Sequence, residues 1–447
     1  MKTALLLHNA YGIGGTIRTT FNLAAALADR GHEVEIVSMM RHRRLPRLAL
    51  DGRVRLVPLV DTREAGPDAA EPSFAEPARV FPAAEQRYRQ YSRLIDQRAE
   101  AYLRSSDADV LIGTRPGLNV YLARFGRRRA LRIGQEHLTL SAHSTRLRAE
   151  LAEHYRHLDA LITTTEADAA DYRRRMPLPG VAVLAVPNSV PDPLPALVAA
   201  PADGTAKVVA AAGRLTKGKR FDLLIASFAQ VAAEHPDWRL RIYGGGPERE
   251  ALQRLIDSLE LSGRVRLMGS RSPIEPELTQ ASILALSSDA ESFGMIVVEA
   301  MRCGVPAVAT NCPHGPGEII RDGVDGRLVP VGDRRALADA LCELIEDEPR
   351  RHRMAAAAVH SAARFTPALI ASRYEELFTQ LAATRAHRNR ERVRAAIRAR
   401  LRGAARHSGL LPLVRLTRRA LSQPRTPAQH TRDTRTDGRP VAARRTS

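Results

Sequence analysis

Residues 208–235 read VVAAAGRLTKGKRFDLLIASFAQVAAEH, and this stretch decides the fold class. An apolar strand, Val208–Ala212, runs into a basic turn, and a helical pattern follows over Phe221–His235. Short apolar runs alternate with longer helical patterns in the same way along both halves of the chain. That alternation is typical of repeated βαβ units and parallel sheets. We therefore predict an α/β protein with two doubly wound domains that face each other across a cleft.

The length and the prolines predict the domain organisation. The 447 residues exceed the roughly 250–300 at which a single hydrophobic core stops growing. A stretch with five prolines and no apolar period, Pro187–Gly204, indicates an interdomain linker. We expect a first domain over 1–186, a linker over 187–206 and a second domain over 207–366. A helix over 367–384 packs back towards the first domain, and an Arg-rich tail covers 385–447. Residues 61–85 are expected to form a mobile surface insertion.

The net charge of +19 is concentrated in the tail. From Leu381 to Ser447 the chain has 18 arginines and three acidic residues, a net charge of +15. Within this stretch Val393, Ile397 and Leu401 recur every four residues, which predicts a short basic amphipathic helix with a disordered remainder. Such a helix suits anionic lipid headgroups, although a solvated tail explains the pattern equally well. The tail lacks the aromatic residues that stack on bases, so we expect no nucleic-acid partner.

No signal peptide or membrane-spanning run is recognisable, so we expect a cytoplasmic protein, peripheral at the inner face of the plasma membrane if the tail binds lipid. The cysteines Cys303, Cys312 and Cys342 show no metal-ligand spacing. Asp107 and Asp109 resemble a metal-binding DxD pair, but they directly precede a strand, and we interpret them as structural. We expect no metal and no cofactor.

Two charged groups in the second half point to an anionic ligand. Arg214 and Lys219 flank the turn that precedes the helix at Phe221, where free amides already favour anions. The chain has only four lysines against 64 arginines, so a lysine at position 219 favours a specific role over a chance basic residue. Further on, Glu291 and Glu299 lie eight positions apart around a probable helix start. Carboxylates accept hydrogen bonds from vicinal hydroxyls, so the pattern suits a nucleotide-sugar, although a basic turn and a helix cap would each look similar.

The segments 213–226 (GRLTKGKRFDLLIA) and 287–310 (SSDAESFGMIVVEAMRCGVPAVAT) resemble the donor domain of the retaining family 4 glycosyltransferases, which have the GT-B architecture of two Rossmann-like domains. The resemblance covers about residues 1–380. Residues 311–320 (NCPHGPGEII) resemble a loop of bacterial teichoic-acid and surface-polysaccharide glycosyltransferases. Within this loop His314 either contacts the donor or is only a surface residue of the turn.

The resemblance implies a role for each matching position. Arg214 and Lys219 would neutralise the donor diphosphate, Glu299 would bind the ribose and Glu291 the donor sugar. His137, in GQEHLTL, matches the active-site histidine, and with Glu291, Arg214 and Lys219 it forms the expected catalytic set. Further donor contacts are expected from the glycine-rich turn and from the start of the later helix, namely Gly14, Gly15, Phe293, Gly294, Met295 and Ile296. YGIGG lacks the full GxGxxG spacing, so a nicotinamide cofactor is not indicated.

The implied reaction moves a hexosyl unit from a nucleotide-diphosphate sugar, with a UDP-sugar favoured, to an acceptor hydroxyl. The acceptor would be a polyol, a glycan of the cell envelope, a lipid-linked group or a secondary metabolite. Retention by a metal-independent front-face displacement follows from the resemblance alone. The alternatives are a GDP-mannose-dependent mannosyltransferase with a lipid acceptor, and an inactive module that binds sugar nucleotides.

Overall fold

The computed structural model describes residues 1–64, 66–191, 193 and 207–407. The first half forms a parallel sheet of seven strands, flanked by helices. Its strands are β1 (Lys2–Asn9), β2 (Glu33–Arg41), β3 (Arg55–Asp61), β4 (Val110–Gly113), β5 (Leu131–Glu136), β6 (Ala160–Thr163) and β7 (Ala182–Ala185). Its helices are α1 (Gly15–Asp29), α2 (Pro72–Ala75), α3 (Arg93–Ser105), α4 (Pro116–Phe125), α5 (Thr145–Tyr155) and α6 (Glu166–Arg175). The strand order is β3-β2-β1-β4-β5-β6-β7.

The second half forms a parallel sheet of six strands. These are β8 (Val208–Ala212), β9 (Arg239–Tyr243), β10 (Val265–Gly269), β11 (Ile283–Leu286), β12 (Ala307–Thr310) and β13 (Gly326–Val329), in the order β10-β9-β8-β11-β12-β13. The helices are α7 (Phe221–Glu234), α8 (Arg249–Ser258), α9 (Glu275–Leu278), α10 (Met295–Arg302), α11 (Pro316–Ile319), α12 (Arg334–Glu346), α13 (Glu348–Ala362), α14 (Pro367–Ala383) and α15 (Arg385–His407). The predicted fold class, with two doubly wound parallel sheets, is confirmed.

Two strands at sheet edges, β3 and β13, lack the continuous apolar run that predicts a strand. β3 contains Pro58, which cannot donate to a ladder and therefore suits an edge strand. β13 is short, contains Gly326 and forms the opposite edge of the second sheet. Edge strands are covered by fewer neighbours, so they need less continuous apolar sequence than the central strands do.

The segment 61–85, expected as a mobile surface insertion, packs onto the first domain instead. Phe81 is only 2% exposed and stacks on Tyr91, with ring centroids 3.5 Å apart. The buried carboxylate of Asp68 accepts a hydrogen bond from the amide of Asp61 at 2.6 Å and from Arg98 at 2.7 Å. The expectation was wrong because one aromatic ring and one buried acid anchor a segment whose composition is otherwise that of a loop.

The chain passes between the two domains twice, near Val190 and near Phe365, and these two connections lie side by side. The amide of Val190 donates to the carbonyl of Phe365 at 2.9 Å, which ties the first crossing to the second. Beyond Phe365, α14 returns to the first domain and packs on α1, where Ile370 and Tyr374 join the core. Most of the expected linker (192 and 194–206) and the distal tail (408–447) lie outside the described residues.

Helix α15 begins against the first domain. Arg388 is buried, and its guanidinium lies 3.1 Å from Asp159, which precedes β6. Arg392 also contacts Asp159, at 3.6 Å. The chain divides into two compact units after Arg392, so the first two turns of α15 belong to the larger unit. In the described residues no helix has the length and apolarity to cross a membrane.

Candidate active site

The carboxyl edges of the two sheets face each other, and several side chains bridge them. Thr164, just after β6, donates to the carbonyl of Ser292 at 2.5 Å. Arg18, in the first turn of α1, donates to Glu299 of α10 at 2.8 Å. Ligands of open α/β sheets bind at such carboxyl edges. A ligand is therefore expected in the interdomain cleft, and the predicted site residues should lie there.

Lys219 and Glu291 meet directly. The Lys219 Nζ atom lies 2.5 Å from Glu291 Oε1, and Ser288 Oγ donates to the same oxygen at 2.7 Å. The Glu291 side chain is 9% exposed and that of Lys219 is 28% exposed. The second carboxylate oxygen, Oε2, has no hydrogen-bond donor among the described residues. The pair thus presents one free acceptor beside a cation.

The turn that contains Lys219 is fixed by its backbone. Ser287 Oγ donates to the carbonyl of Lys219 at 3.0 Å, and the amide of Asp289 donates to the carbonyl of Gly218 at 3.0 Å. The turn also packs against Gly244, whose φ is +151°. A Cβ atom at Gly244 would lie 1.8 Å from the carbonyl oxygen of Gly213, so no larger residue fits there. This packing holds the Lys219 turn next to the segment that contains Glu291.

The start of α10 offers free amides to the same space. Gly294 has a φ of +100°, a conformation that glycine adopts at little cost, and α10 begins at the next residue. In the described residues the amides of Met295 and Ile296 have no acceptor, as expected at a helix N-terminus, which favours anions. The Phe293 ring, in contrast, is buried against Phe365, with centroids 5.6 Å apart. Only the backbone of Phe293 remains for the predicted donor contact.

Glu299, in the second domain, is oriented by Arg18 of the first domain. Its Oε1 atom accepts from Arg18, and Arg18 also lies 3.6 Å from Glu275. Burial raises the pKa of Glu299, the Arg18 charge opposes this rise, and the neighbouring Glu275 adds to it. The Oε2 atom of Glu299 has no donor within the described part of the chain. Arg18 therefore orients the carboxylate and leaves one oxygen for hydroxyl groups.

The first domain contributes the glycine turn and His137. Cβ atoms built at Gly14 and Gly15 meet no atom within 4 Å, so the space beside this turn is left open by the protein. His137, after β5, hydrogen-bonds Gln135 at 3.2 Å, and Gln135 donates to the Tyr374 hydroxyl at 2.6 Å. Burial, with a smaller effect of a nearby arginine, lowers the pKa of His137 to about 4, so the ring is neutral at pH 7.

Some predicted residues have other partners or none. Arg214 is exposed, and no ion pair or hydrogen bond links its guanidinium to another described residue. Asp107 and Asp109 precede β4 and bind Lys2, through its ammonium at 2.6 Å and its backbone amide at 2.9 Å, respectively. His314 lies 3.8 Å from Asp171 of the first domain, so in this structure it faces a carboxylate across the cleft.

Sequence reasoning missed three residues of this region. They are Arg18, Ser288 and Glu318. The Glu318 carboxylate accepts from the amides of Glu166 and Ala167 at 2.8 Å each, and so caps α6 from the other domain. The only signal for Arg18 was its place in the first turn after YGIGG. Nothing in the sequence identifies its partner, because the two residues are 281 positions apart.

Comparisons with known proteins identify the family of both halves of the chain. The model of the glycosyl transferase 4-like domain matches residues 14–189, and that of glycosyl transferases group 1 matches residues 198–360. An exopolysaccharide phosphotransferase of Streptomyces coelicolor is 33% identical over 404 residues, 86% of this chain. The chain spans only 41% of that relative's length.

Solved structures show the same fold at low identity. TarM of S. aureus, in complex with fondaparinux, alpha-GlcNAc-glycerol and UDP, superposes with a TM-score of 0.67 and 16% identity, covering 84% of this chain and 99% of TarM. HepE of Anabaena, in complex with UDP and glucose, gives 0.65 and 19%, covering 85% and 99%. With both halves matched by consecutive glycosyltransferase models, the chain belongs to the family 4 glycosyltransferases of the GT-B architecture.

Proposed function

We propose that this chain transfers a hexosyl unit from a UDP-sugar to a hydroxyl of a cell-envelope polymer, a lipid-linked group or a secondary metabolite. The observation that carries the proposal is the Lys219–Glu291 pair, 2.5 Å apart at the head of α10, beside the unpartnered amides of Met295 and Ile296. A cation and helix amides suit a diphosphate, and a carboxylate with a free oxygen suits the adjoining sugar.

The chemistry follows from where charge develops. The bond between the anomeric carbon and the diphosphate oxygen breaks as the acceptor oxygen forms a new bond to that carbon. Lys219, Arg214 and the α10 amides would stabilise the growing negative charge on the diphosphate. In the proposed front-face displacement the acceptor proton would pass to an oxygen of the leaving phosphate. Neutral His137 donates its Nε2–H to Gln135, so its Nδ1 atom would accept a hydrogen bond from a donor-sugar hydroxyl, and Glu299 would hold the ribose.

A thermal-shift panel tests the donor. We expect UDP and UDP-sugars to raise the melting temperature of the wild type in a concentration-dependent way. Lys219→Met should abolish the shift and lower kcat/KM by about 100-fold or more. Lys217→Met is the matched control, because Lys217 lies in the same turn but is exposed and has no partner among the described residues. A shift with GDP-mannose instead would favour mannosyl transfer, and nucleotide binding without turnover would indicate an inactive module.

Product analysis tests the mechanism. Proton NMR of the glycosylated product should show the anomeric configuration of the donor. EDTA treatment should leave the rate unchanged, in line with the proposed absence of a metal. An inverted product, or a rate restored only by added divalent cations, would contradict this part of the proposal.

The tail is proposed to place the enzyme at the inner face of the plasma membrane. Val393, Ile397 and Leu401 are 59%, 52% and 64% exposed, at the spacing of one helix face. Flotation with anionic vesicles should recover the full chain but not a truncation after Arg392, which keeps the anchored start of α15. Equal flotation of both proteins would remove the membrane role.

A further inference from the structure

Five arginines stand along the carboxyl edge of the first sheet. Arg41 ends β2, three more follow it in the loop, and Arg87 lies between β3 and α3. We call this set the arginine rim; it consists of Arg41, Arg43, Arg44, Arg47 and Arg87. Arg44, Arg47 and Arg87 are exposed, and the other two are half-buried.

The loop part of the rim is tied to the glycine turn. Asn9 Nδ2 and His42 Nδ1 lie 2.6 Å apart, and the Arg41 guanidinium lies 5.8 Å from the centre of the Tyr11 ring. Asn9 Oδ1 also accepts from the amide of Tyr11 at 2.9 Å. Because Tyr11 begins the turn that leads to Gly14, the rim borders the space into which that turn opens.

Arg87 approaches the same edge from the other side of β1. His8, in β1, hydrogen-bonds the Tyr91 hydroxyl at 3.0 Å. Burial, together with the charges of Arg115 and Arg87, lowers the pKa of His8 to about 3. Arg115, which is not part of the rim, also lowers the pKa of His137, so His8 and His137 lie near the same arginine.

The rim carries positive charge that the protein does not neutralise. The neighbouring acids Asp61 and Glu85 are already paired with Arg63 and Arg115, each at 2.5 Å. Within the described ranges, none of the five rim arginines forms an ion pair with a carboxylate. The proposed donor diphosphate is served by Lys219, Arg214 and α10 in the second domain. The excess charge of the first domain therefore remains for the other substrate.

We propose that the arginine rim binds phosphate groups of the acceptor, so that the enzyme glycosylates a hydroxyl of a phosphate-bearing chain. The inference rests on the proposed transferase function and names its acceptor class. Guanidinium forks match phosphate oxygens, and several forks along one edge suit a chain with repeated charges better than a single carboxylate. The rim would hold one phosphate while a nearby hydroxyl lies beside His137.

The test measures by calorimetry, at low and high salt, how tightly the full chain binds an acceptor probe, a glycerol phosphate oligomer. The variant is Arg47→Ala/Arg87→Ala, which removes two exposed guanidiniums and leaves Arg41 to hold the loop. We expect binding to weaken at least about tenfold at low salt and by less at high salt. The matched control is Arg254→Ala/Arg266→Ala, two exposed arginines of the second domain, which should bind as the wild type does.

Competing anions complete the experiment. Oligogalacturonate, a carboxylate oligomer, should bind at least about tenfold more weakly than the phosphate oligomer. Equal binding of the carboxylate oligomer, or equal loss in both double variants, would overturn the proposal. A UDP titration of the same proteins distinguishes failure of the acceptor proposal from failure of the transferase function. The rim variant should keep the rise in melting temperature that UDP causes in the wild type. Absence of that shift in the wild type would count against the transferase function and not against the rim.

Discussion

Replacing Arg18 by alanine should destabilise the protein by about 2 kcal/mol at pH 8. The change removes the cation that Glu299 and Glu275 share, with side chains that are 9% and 15% exposed. Breaking a fully buried pair costs about 3–5 kcal/mol and an exposed pair less than about 1 kcal/mol, so a partly buried group lies between these values. Two like charges would then face each other without a counterion.

The loss should depend on pH in a defined direction. Burial already raises the pKa of Glu299, and without Arg18 it should rise further. A carboxyl group with a raised pKa in the folded state favours folding when protonated, and this contribution is lost as the pH rises through that pKa. The stability gap between wild type and Arg18→Ala should therefore be largest at pH 8 and shrink towards pH 5.

Urea unfolding at both pH values measures this gap. Trp238 is the sole tryptophan and is buried in the second domain, so its fluorescence reports the domain that contains Glu299. Arg335→Ala is the control, because the Arg335 side chain is 88% exposed and lies 3.6 Å from Asp339. It should change stability by less than about 0.5 kcal/mol. A loss of that small size in Arg18→Ala, or an equal loss at pH 5 and pH 8, would refute the reasoning.

Three further changes have defined outcomes. Ser288→Ala removes a donor to Glu291 and should lower kcat/KM by at least about tenfold, since hydrogen bonds to charged groups contribute about 1.5–3 kcal/mol; an unchanged rate would mean that Lys219 alone orients the carboxylate. Burial raises the pKa of Asp168 to about 7, so its ionisation opposes folding as the pH rises. Relative to the wild type, Asp168→Asn should therefore gain stability between pH 5 and pH 8 in urea titrations, and a flat difference would contradict this. Gly180→Ala places a Cβ atom 2.5 Å from the carbonyl oxygen of Arg388, so trypsin should cleave the α15 segment faster than in the wild type, whereas equal cleavage would show that the contact is dispensable.

Much of the fold follows from local sequence. The bounds of β8 coincide with the apolar run that predicted it, and α7 and α14 begin at the predicted residues and end one residue earlier than predicted. These elements are central or amphipathic, so burial imposes a regular pattern on their residues. The edge strands and the helices between β3 and β7 carry weaker patterns, and their positions depend on packing that the sequence alone does not display.

Part of the site, like part of the fold, could be predicted from the sequence. Lys219 and Glu291 were found because short motifs fix both within a single domain, and they lie in direct contact. The roles assigned to them remain predictions. Arg18 could not be found, since its pairing with Glu299 depends on how two separately folded sheets approach each other. Phe293 shows a further limit, because its neighbours favour a ligand contact while its ring is needed in the core.

The return of α14 to the first domain has a consequence for any attempt to study the halves alone. A fragment that ends before residue 190 would expose the groove that Ile370, Leu377 and Phe378 fill in the intact chain. Residues 367–383 supplied as a separate peptide should therefore complement such a fragment. The bond from Val190 to Phe365 places the two connections next to each other, so a cut at either one would leave the halves joined through the other.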